Sequence, residues 1–538
     1  MTSLTRSTRT MAVGTLASRG TGFVRTAALA AALGANGVSI AYNLANTAPN
    51  AVYDLLLGGV LTSVVVPLLV RAAKQEADGG LAYAQRLLSL TVLALGAASA
   101  LLVVFAPQIV DLYVNAKTPA GTRDLAIVFA RFFLPQVLFY GAGAVLGGIL
   151  NTRGSFGAPM WAPVLNNVVV IVTAVVFLVL PATTDPTRSL THLQVLVIGT
   201  GTTLGVIAQT VALVPALRAS GFRLRIRLDL RGTGLGHAAR LAKWVFLYVI
   251  ANQVAYLVVV RLSSALPDGR NYAVYVFAYV LFQLPYAVVA VSVISALLPT
   301  MSRAAADERY ADLRGQLSTG MRLAGAILVP AVAAYLVLGP AIATLVLGHG
   351  RLGLSAARYI GQTLAVLSLG LLPFSAFQLQ LRAFYALDDT RTPALVNLAA
   401  TAVNLALDVL AVLGLPARTQ VLGLAGAYAV SYAVGLVLSS RLLGRRLGGL
   451  DGARVVRTTV RCLLAVLVPA LLALAVQFGV TALLGRGTTG AVVALALGGT
   501  VLSAGYLVGV RLLHVREVDD VVGPLLRRVG LGPRLKRS

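Results

Sequence analysis

The sequence predicts an all-α integral membrane protein of about fourteen transmembrane helices, with two six-helix lobes in parallel repeat and two further C-terminal helices. Three observations predict it. The 538 residues are 58% hydrophobic and 12% charged, with a mean hydropathy of +0.85, whereas soluble chains run at about 45–50% apolar and ~25% charged. Apolar runs recur at the ~20-residue length that a helix needs to cross ~30 Å of hydrocarbon. Short motifs also repeat in the same order at offsets of 232 and 238 residues.

The apolar runs fall at 10–33, 41–70, 86–106, 124–150, 160–181, 193–217, 241–264, 272–301, 319–347, 356–386, 393–414, 420–441, 459–484 and 489–512. An even number of spans places both termini on one side. Summed over alternate loops, one set, which includes both termini, holds thirty-two Lys and Arg and the other eight. The richer set is expected to be cytoplasmic. This asymmetry accounts for the net charge of +26 without invoking nucleic acid. Arg19, Arg25, Arg131 and Arg261 fall inside or at the edge of spans. No small-residue cleavage site precedes a long span, so no removable signal peptide is expected. The single Cys462 excludes a disulfide scaffold, and the four scattered histidines, His192, His237, His349 and His514, offer no metal-ligand spacing.

In the repeat, Pro67-Leu-Leu-Val-Arg71-Ala-Ala matches Pro299-Thr-Met-Ser-Arg303-Ala-Ala. Leu134-Pro135 and Asn151-Thr152-Arg153 return as Leu372-Pro373 and Asp389-Thr390-Arg391. Six spans lie within the offset, so the halves share one orientation. They are expected as an N-lobe over 1–230, a C-lobe over 231–445, and the last two spans with a basic tail over 446–538. Parallel repeats of this kind build transporters that open a midplane site to alternate sides.

Charged and amide side chains inside a bilayer are costly and normally face a cavity or a partner. In span 2, Asn43, Asn46, Asn50 and Asp54 fall on one helical stripe broken by Pro49. Asn397, Thr401, Asn404 and Asp408 form a second stripe on span 11, and Tyr272, Tyr275, Tyr279, Gln283 and Tyr286 a third on span 8. Helix packing explains single members of these sets; together the stripes are expected to line a cavity. Arg19 and Arg25 on span 1 stand about 9 Å apart along the axis. Their forked guanidinium groups suit an anionic, phosphorylated substrate.

Several ordered motifs then resemble the MurJ/MviN family: Ser18-Arg19-Gly-Thr-Gly-Phe-Val-Arg25, Pro49-Asn50, Leu-Asn151-Thr-Arg-Gly-Ser-Phe, Pro163-Val-Leu-Asn166-Asn167, Gln283-Leu-Pro285 leading to Pro299-Thr-Met-Ser302, and Phe384-Tyr385-Ala-Leu-Asp-Asp-Thr-Arg-Thr-Pro393. The match extends over spans 1–12 and looks like the actinobacterial branch. The resemblance implies a fourteen-span member of the multidrug and polysaccharide-lipid exporter superfamily. It implies a flippase rather than an enzyme, multi-pass in the bacterial inner membrane, that moves lipid II, the undecaprenyl-diphosphate-linked cell-wall precursor, to the outer leaflet by alternating access. Arg19 and Arg25 carry over as substrate-binding residues. Tyr53 and Asp54 replace two arginines of better-known members and Val280 a third. Arg261 is the candidate replacement, and Asn43, Asn46, Asn50, Tyr279 and Gln283 complete the expected lining. The family's sodium site implies Asn404 and Asp408 as ligands here, one turn apart, and leaves coupling to Na⁺ or to the membrane potential open. Expected partners are lipid II, anionic membrane lipids and cell-wall synthesis proteins. The competing readings are a cation-coupled drug exporter or another polyprenyl-lipid exporter of the same fold, a lipid-sugar transferase, and a cell-wall scaffold.

Overall fold

The computed structural model describes residues 2–55, 69, 72, 76, 78–114, 116, 118–155, 157–181, 190–229, 235–263, 272–387, 389–515 and 517. Several sequence expectations therefore lie outside the described residues: span 2 over 56–68, with Gly58 and Pro67; Asn271, Asp388 and the tail beyond 517; and the side chains of Asp54, His237 and Pro299. All regular elements among the described residues are helical. Eleven of them are long and apolar enough to span a membrane, or twelve if one bent pair counts as a single span. Of the fourteen expected spans, eleven coincide with such helices and a twelfth with the bent pair. The polar α1 and the described part of α2 occupy the other two.

Two compact units divide the chain: Met1–Ala273 with Gly350–Leu352, and Val274–His349 with Gly353–Ser538. The first contains α1 (Thr2–Leu33), α2 (Gly37–Leu55), α3 (Leu81–Val104), α4 (Ala106–Tyr113), α5 (Ala120–Phe133), α6 (Gln136–Thr152), α7 (Gly157–Val179), α8 (His192–Val211), α9 (Leu213–Ala219) and α10 (Leu235–Ser263). Helix α1 packs along α7, where Asn167 Nδ2 donates to Ser18 O and to Thr21 Oγ1, each at 3.0 Å. Helix α7 packs in turn on α8. Only a residue without a side chain fits that crossing at Gly201, because a Cβ there would stand 2.2 Å from Thr173 Oγ1. Span 4 is broken at Leu134-Pro135, since a proline cannot donate to the helix ladder. Thr203 Oγ1 seals the break, donating to Phe132 O at 2.6 Å while accepting from Gln136 Nε2 at 3.0 Å. Thr191 and Gln194 close a capping box at the start of α8.

The second unit contains α11, which begins at Tyr272 and runs to Pro285, followed by a π turn over Tyr286–Ala290 and then α12 (Val291–Ala306), α13 (Tyr310–Leu347), α14 (Gly353–Ser368), α15 (Leu371–Ala386), α16 (Arg391–Gly414), α17 (Gln420–Leu447), α18 (Gly452–Leu484) and α19 (Thr488–Leu512). Helix α13 is the spine, packed against α14, α18 and α19. Its core with the last two helices holds Ala326, Val329, Cys462, Leu502 and Tyr506. Close approach of α18 and α19 requires Gly505, whose Cβ would lie 2.6 Å from Pro469 Cγ.

The internal repeat is visible in both units. Helices α14 and α15 meet at a 50° bend close to Leu372-Pro373, the counterpart of the break at Leu134-Pro135. The α7–α8 pairing recurs as α16–α17. Helix α10, the sequence counterpart of α1, packs on α2 and α4 and clusters with the first unit as far as Ala273; the expected lobe boundary lies at 230/231.

Candidate substrate and cation sites

In the first unit the polar stripe of α2 meets α1 and α8. Arg25 is half-buried, and its Nε is buried without a hydrogen bond in the protein. Its charge lies within electrostatic reach of Tyr42. The Tyr42 hydroxyl pairs with Thr202 Oγ1 at 3.2 Å and with the Asn46 side chain, and its ring stands edge-on to Phe133. Asn43 turns inward along its own helix, donating from Nδ2 to Ser39 O at 2.8 Å. Arg19 and Asn50 are exposed. A half-buried guanidinium, an amide and a phenol thus converge from two helices. Tyr42 and Thr202 carry no signal in the helical spacing of amides and charges, because their contact joins residues 160 positions apart.

Arg261 lies apart from that cluster at the end of α10. Its Nη1 donates to Leu112 O at 2.9 Å and reaches Asp111 O at 3.5 Å. It therefore caps the last carbonyls of α4, where a cation also suits the helix dipole. On the same segment Arg123 grips Asp111 through Nε at 2.6 Å and Nη2 at 2.9 Å. The hydrogen bond from Arg123 holds the Asp111 carboxyl below the usual carboxylate range.

In the second unit the tyrosine stripe of α11 joins an aromatic cluster with α15 and α17. Tyr279 stacks on Tyr275 and meets Tyr428 edge-on, with ring centroids 6.3 and 5.7 Å apart. Gln283 Nε2 donates to Tyr279 Oη at 2.7 Å. Tyr279 and Gln283 keep partial exposure while Tyr275 and Tyr428 are buried. On α16, Asn397, Thr401, Asn404 and Asp408 are all buried. Asn404 Nδ2 donates to Asp408 Oδ2 at 3.1 Å. Asp408 Oδ1 is buried without a hydrogen bond in the protein. This pair offers hard oxygen atoms of the kind that hold alkali or alkaline-earth cations. Among the described residues no group of three or more His, Cys, Asp or Glu is placed to hold a metal ion.

A family model described as "Lipid II flippase MurJ" matches residues 29–497. A probable lipid II flippase MurJ of Rhizobium meliloti is 26% identical over 75% of this chain and 75% of its own. The lipid II flippase MurJ of Burkholderia cenocepacia is 27% identical, over 72% of this chain and 75% of its own. Among solved structures, a lipid II flippase MurJ in an inward closed conformation superposes with a TM-score of 0.74 at 18% identity, covering 94% of this chain and 99% of that one. An inward-facing multidrug resistance MATE transporter of the MOP superfamily shares the fold more loosely, with a TM-score of 0.64 at 15% identity over 81% of this chain and 96% of its own. The family match spans the repeat, the polar stripes and the Pro-broken spans described above, and the chain belongs to the MurJ family of lipid II flippases, as a multi-pass transporter of the inner membrane.

Proposed function

We propose that the chain carries lipid II from the inner to the outer leaflet by alternating access. The observation that carries this reading, beside family membership, is Arg25, a guanidinium half-buried in a membrane helix with an Nε that lacks a protein partner. Such a group is expensive in hydrocarbon and suits the bidentate recognition of a diphosphate. The sugar–peptide headgroup cannot cross hydrocarbon unaided, so it moves through protein while the polyprenyl tail stays in lipid. The 32-to-8 distribution of basic residues supports cytoplasmic termini. Asn404 and Asp408 fit a Na⁺ ion, because the free Asp408 Oδ1 and the carboxamide oxygen of Asn404 are hard ligands one turn apart. Bound Na⁺ would neutralise a carboxylate buried in the membrane.

The test is binding of purified lipid II, with native mass spectrometry of the lipid that leaves the membrane with the protein. Arg25→Ala is expected to weaken binding roughly ten- to hundredfold, as loss of about 1.5–3 kcal/mol of charge-assisted hydrogen bonding requires. Arg25→Lys restores it in part. A folded alanine variant that binds and transports like the parent would overturn the assignment of Arg25. Retention of a different lipid class by the parent would overturn the substrate.

A further inference from the structure

The segment after α9 reads Arg223-Leu-Arg225-Ile-Arg227-Leu-Asp229. It has no regular secondary structure, yet four side chains fasten it. Arg153 Nη1 donates to Ser220 O at 3.0 Å, and the same guanidinium lies 5.3 Å from the Phe222 ring centroid. Gln85 Nε2 donates to Arg223 O at 2.6 Å. The Arg227 amide donates to Ser89 Oγ at 2.9 Å, and Arg86 Nη2 stands 3.6 Å from Asp229 Oδ2. Phe222 is buried in the core beside Tyr83, Leu150 and Leu217. A connection that only bridged two spans would need none of these fastenings.

They lay the segment along residues 85–89, within the first turns of α3. The apolar run of that span starts at residue 86, so residues 85–89 stand where the helix enters the hydrocarbon. Its outer faces, at Leu93 and Leu101, are exposed, as suits a helix face turned to lipid. The fastened segment therefore runs at headgroup depth, and every side chain from Arg223 to Asp229 is exposed. Ile226 is 86% exposed and flanked by two arginines. Over 218–229 the chain carries four arginines against Asp229 alone. The nearby Asp78 is within reach of Arg227, but its carboxylate accepts from the Ala82 and Gly80 amides. Alternating guanidinium and aliphatic groups at this depth match a surface with phosphate above hydrocarbon. An acidic protein partner would leave the aliphatic half unused.

We propose that residues 223–228 bind the headgroups of anionic phospholipids, with Leu224, Ile226 and Leu228 entering the acyl boundary and Arg223, Arg225 and Arg227 holding phosphate. This surface is separate from the transport sites and does not depend on the identity of the transported lipid. The test places an environment-sensitive fluorophore on Ile226→Cys; Cys462 is wholly buried and is replaced by serine. The protein is reconstituted in phosphatidylcholine–phosphatidylglycerol vesicles in which one lipid or the other is brominated. Brominated phosphatidylglycerol is expected to quench beyond its mole fraction by about fivefold or more, the factor that one juxtamembrane arginine supplies, and added salt lowers the preference. The triple change of Arg223, Arg225 and Arg227 to Gln is expected to erase the preference, and the triple change to Lys to keep most of it. Absence of quenching, equal quenching by the two lipids, or a preference that persists in the glutamine variant would each overturn the proposal.

Discussion

Helix α13 passes through Pro330 without a break, although proline cannot donate the bond that the carbonyl one turn earlier requires. That carbonyl belongs to Ala326, and the donor comes from another helix: the Tyr506 hydroxyl reaches it at 2.5 Å. Both residues are buried, so Tyr506→Phe strands an acceptor away from water. An unmet buried acceptor costs about 1–3 kcal/mol, while interhelical bonds measured by double-mutant cycles in membrane proteins average ~0.6 and reach ~1.7 kcal/mol. The Ala326 carbonyl has no helical donor to fall back on, so the expected cost is about 1–1.7 kcal/mol. Pro330→Ala restores the missing N–H and makes the hydroxyl redundant. In that background Tyr506→Phe should cost less than about 0.5 kcal/mol, a residue that includes its contact with Cys462. The Cys462 contact is lost in both backgrounds and cancels from the coupling energy. Equilibrium unfolding of the four proteins in mixed micelles, followed by helicity, measures the cycle. Equal costs of Tyr506→Phe with and without Pro330 would refute the reasoning.

Orientation is checked by cysteine labelling from outside the cell. Gly121→Cys and Gly487→Cys should react with an impermeant reagent and Gly452→Cys should not, all at positions where a Cβ meets nothing within 4 Å. Gly37 suits this test less well, because its Cβ would stand 2.6 Å from Thr122 Oγ1. Asp408→Asn is expected to leave the protein folded and to abolish stabilisation by Na⁺ over K⁺ in a thermal melt; an unchanged sodium increment rules out this carboxylate as the ligand. At the Asp111–Arg123 pair the folded carboxyl titrates below its ordinary value, so its contribution is present above about pH 4 and is lost as pH falls through the lowered value. Protection of the α4 amides relative to their intrinsic exchange rate should fall over that range in the parent, and Arg123→Gln should show the lower protection already at pH 6.

Composition and the 20-residue period made the membrane fold legible, because hydrocarbon leaves the chain few alternatives. Interruptions inside the spans were less visible. The run at 124–150 reads as one helix, yet Pro135 divides it, and α4 starts afresh at Ala106 with Pro107 in its first turn, where proline is tolerated. The π turn after Pro285 leaves no periodic trace; the Leu281 carbonyl one turn before that proline takes its donor from Tyr335 Oη at 2.7 Å. The stripes on α2, α11 and α16 were legible as stripes, because 100° per residue is a local rule. What each stripe faces was not. Tyr279 meets Tyr428 across 149 residues, and Arg261 meets Leu112 across a similar distance in sequence. Such pairings are set by tertiary structure alone.

The polarity of α1 also bears on biogenesis. It has 32 residues, ample length to cross, and still falls short of the apolarity that eleven other helices reach. It nevertheless emerges from the ribosome before α3 and α7. The insertion machinery therefore meets this weakly apolar helix, with Arg19 and Arg25 on it, before the helix it packs against, and inserting it alone gains little. Its retention has to wait for α7, whose Asn167 ties the backbone at Ser18 and the hydroxyl of Thr21. Synthesis of this chain thus includes an interval of well over one hundred residues during which α1 is held provisionally, and a stall or truncation in that interval would release it for quality control.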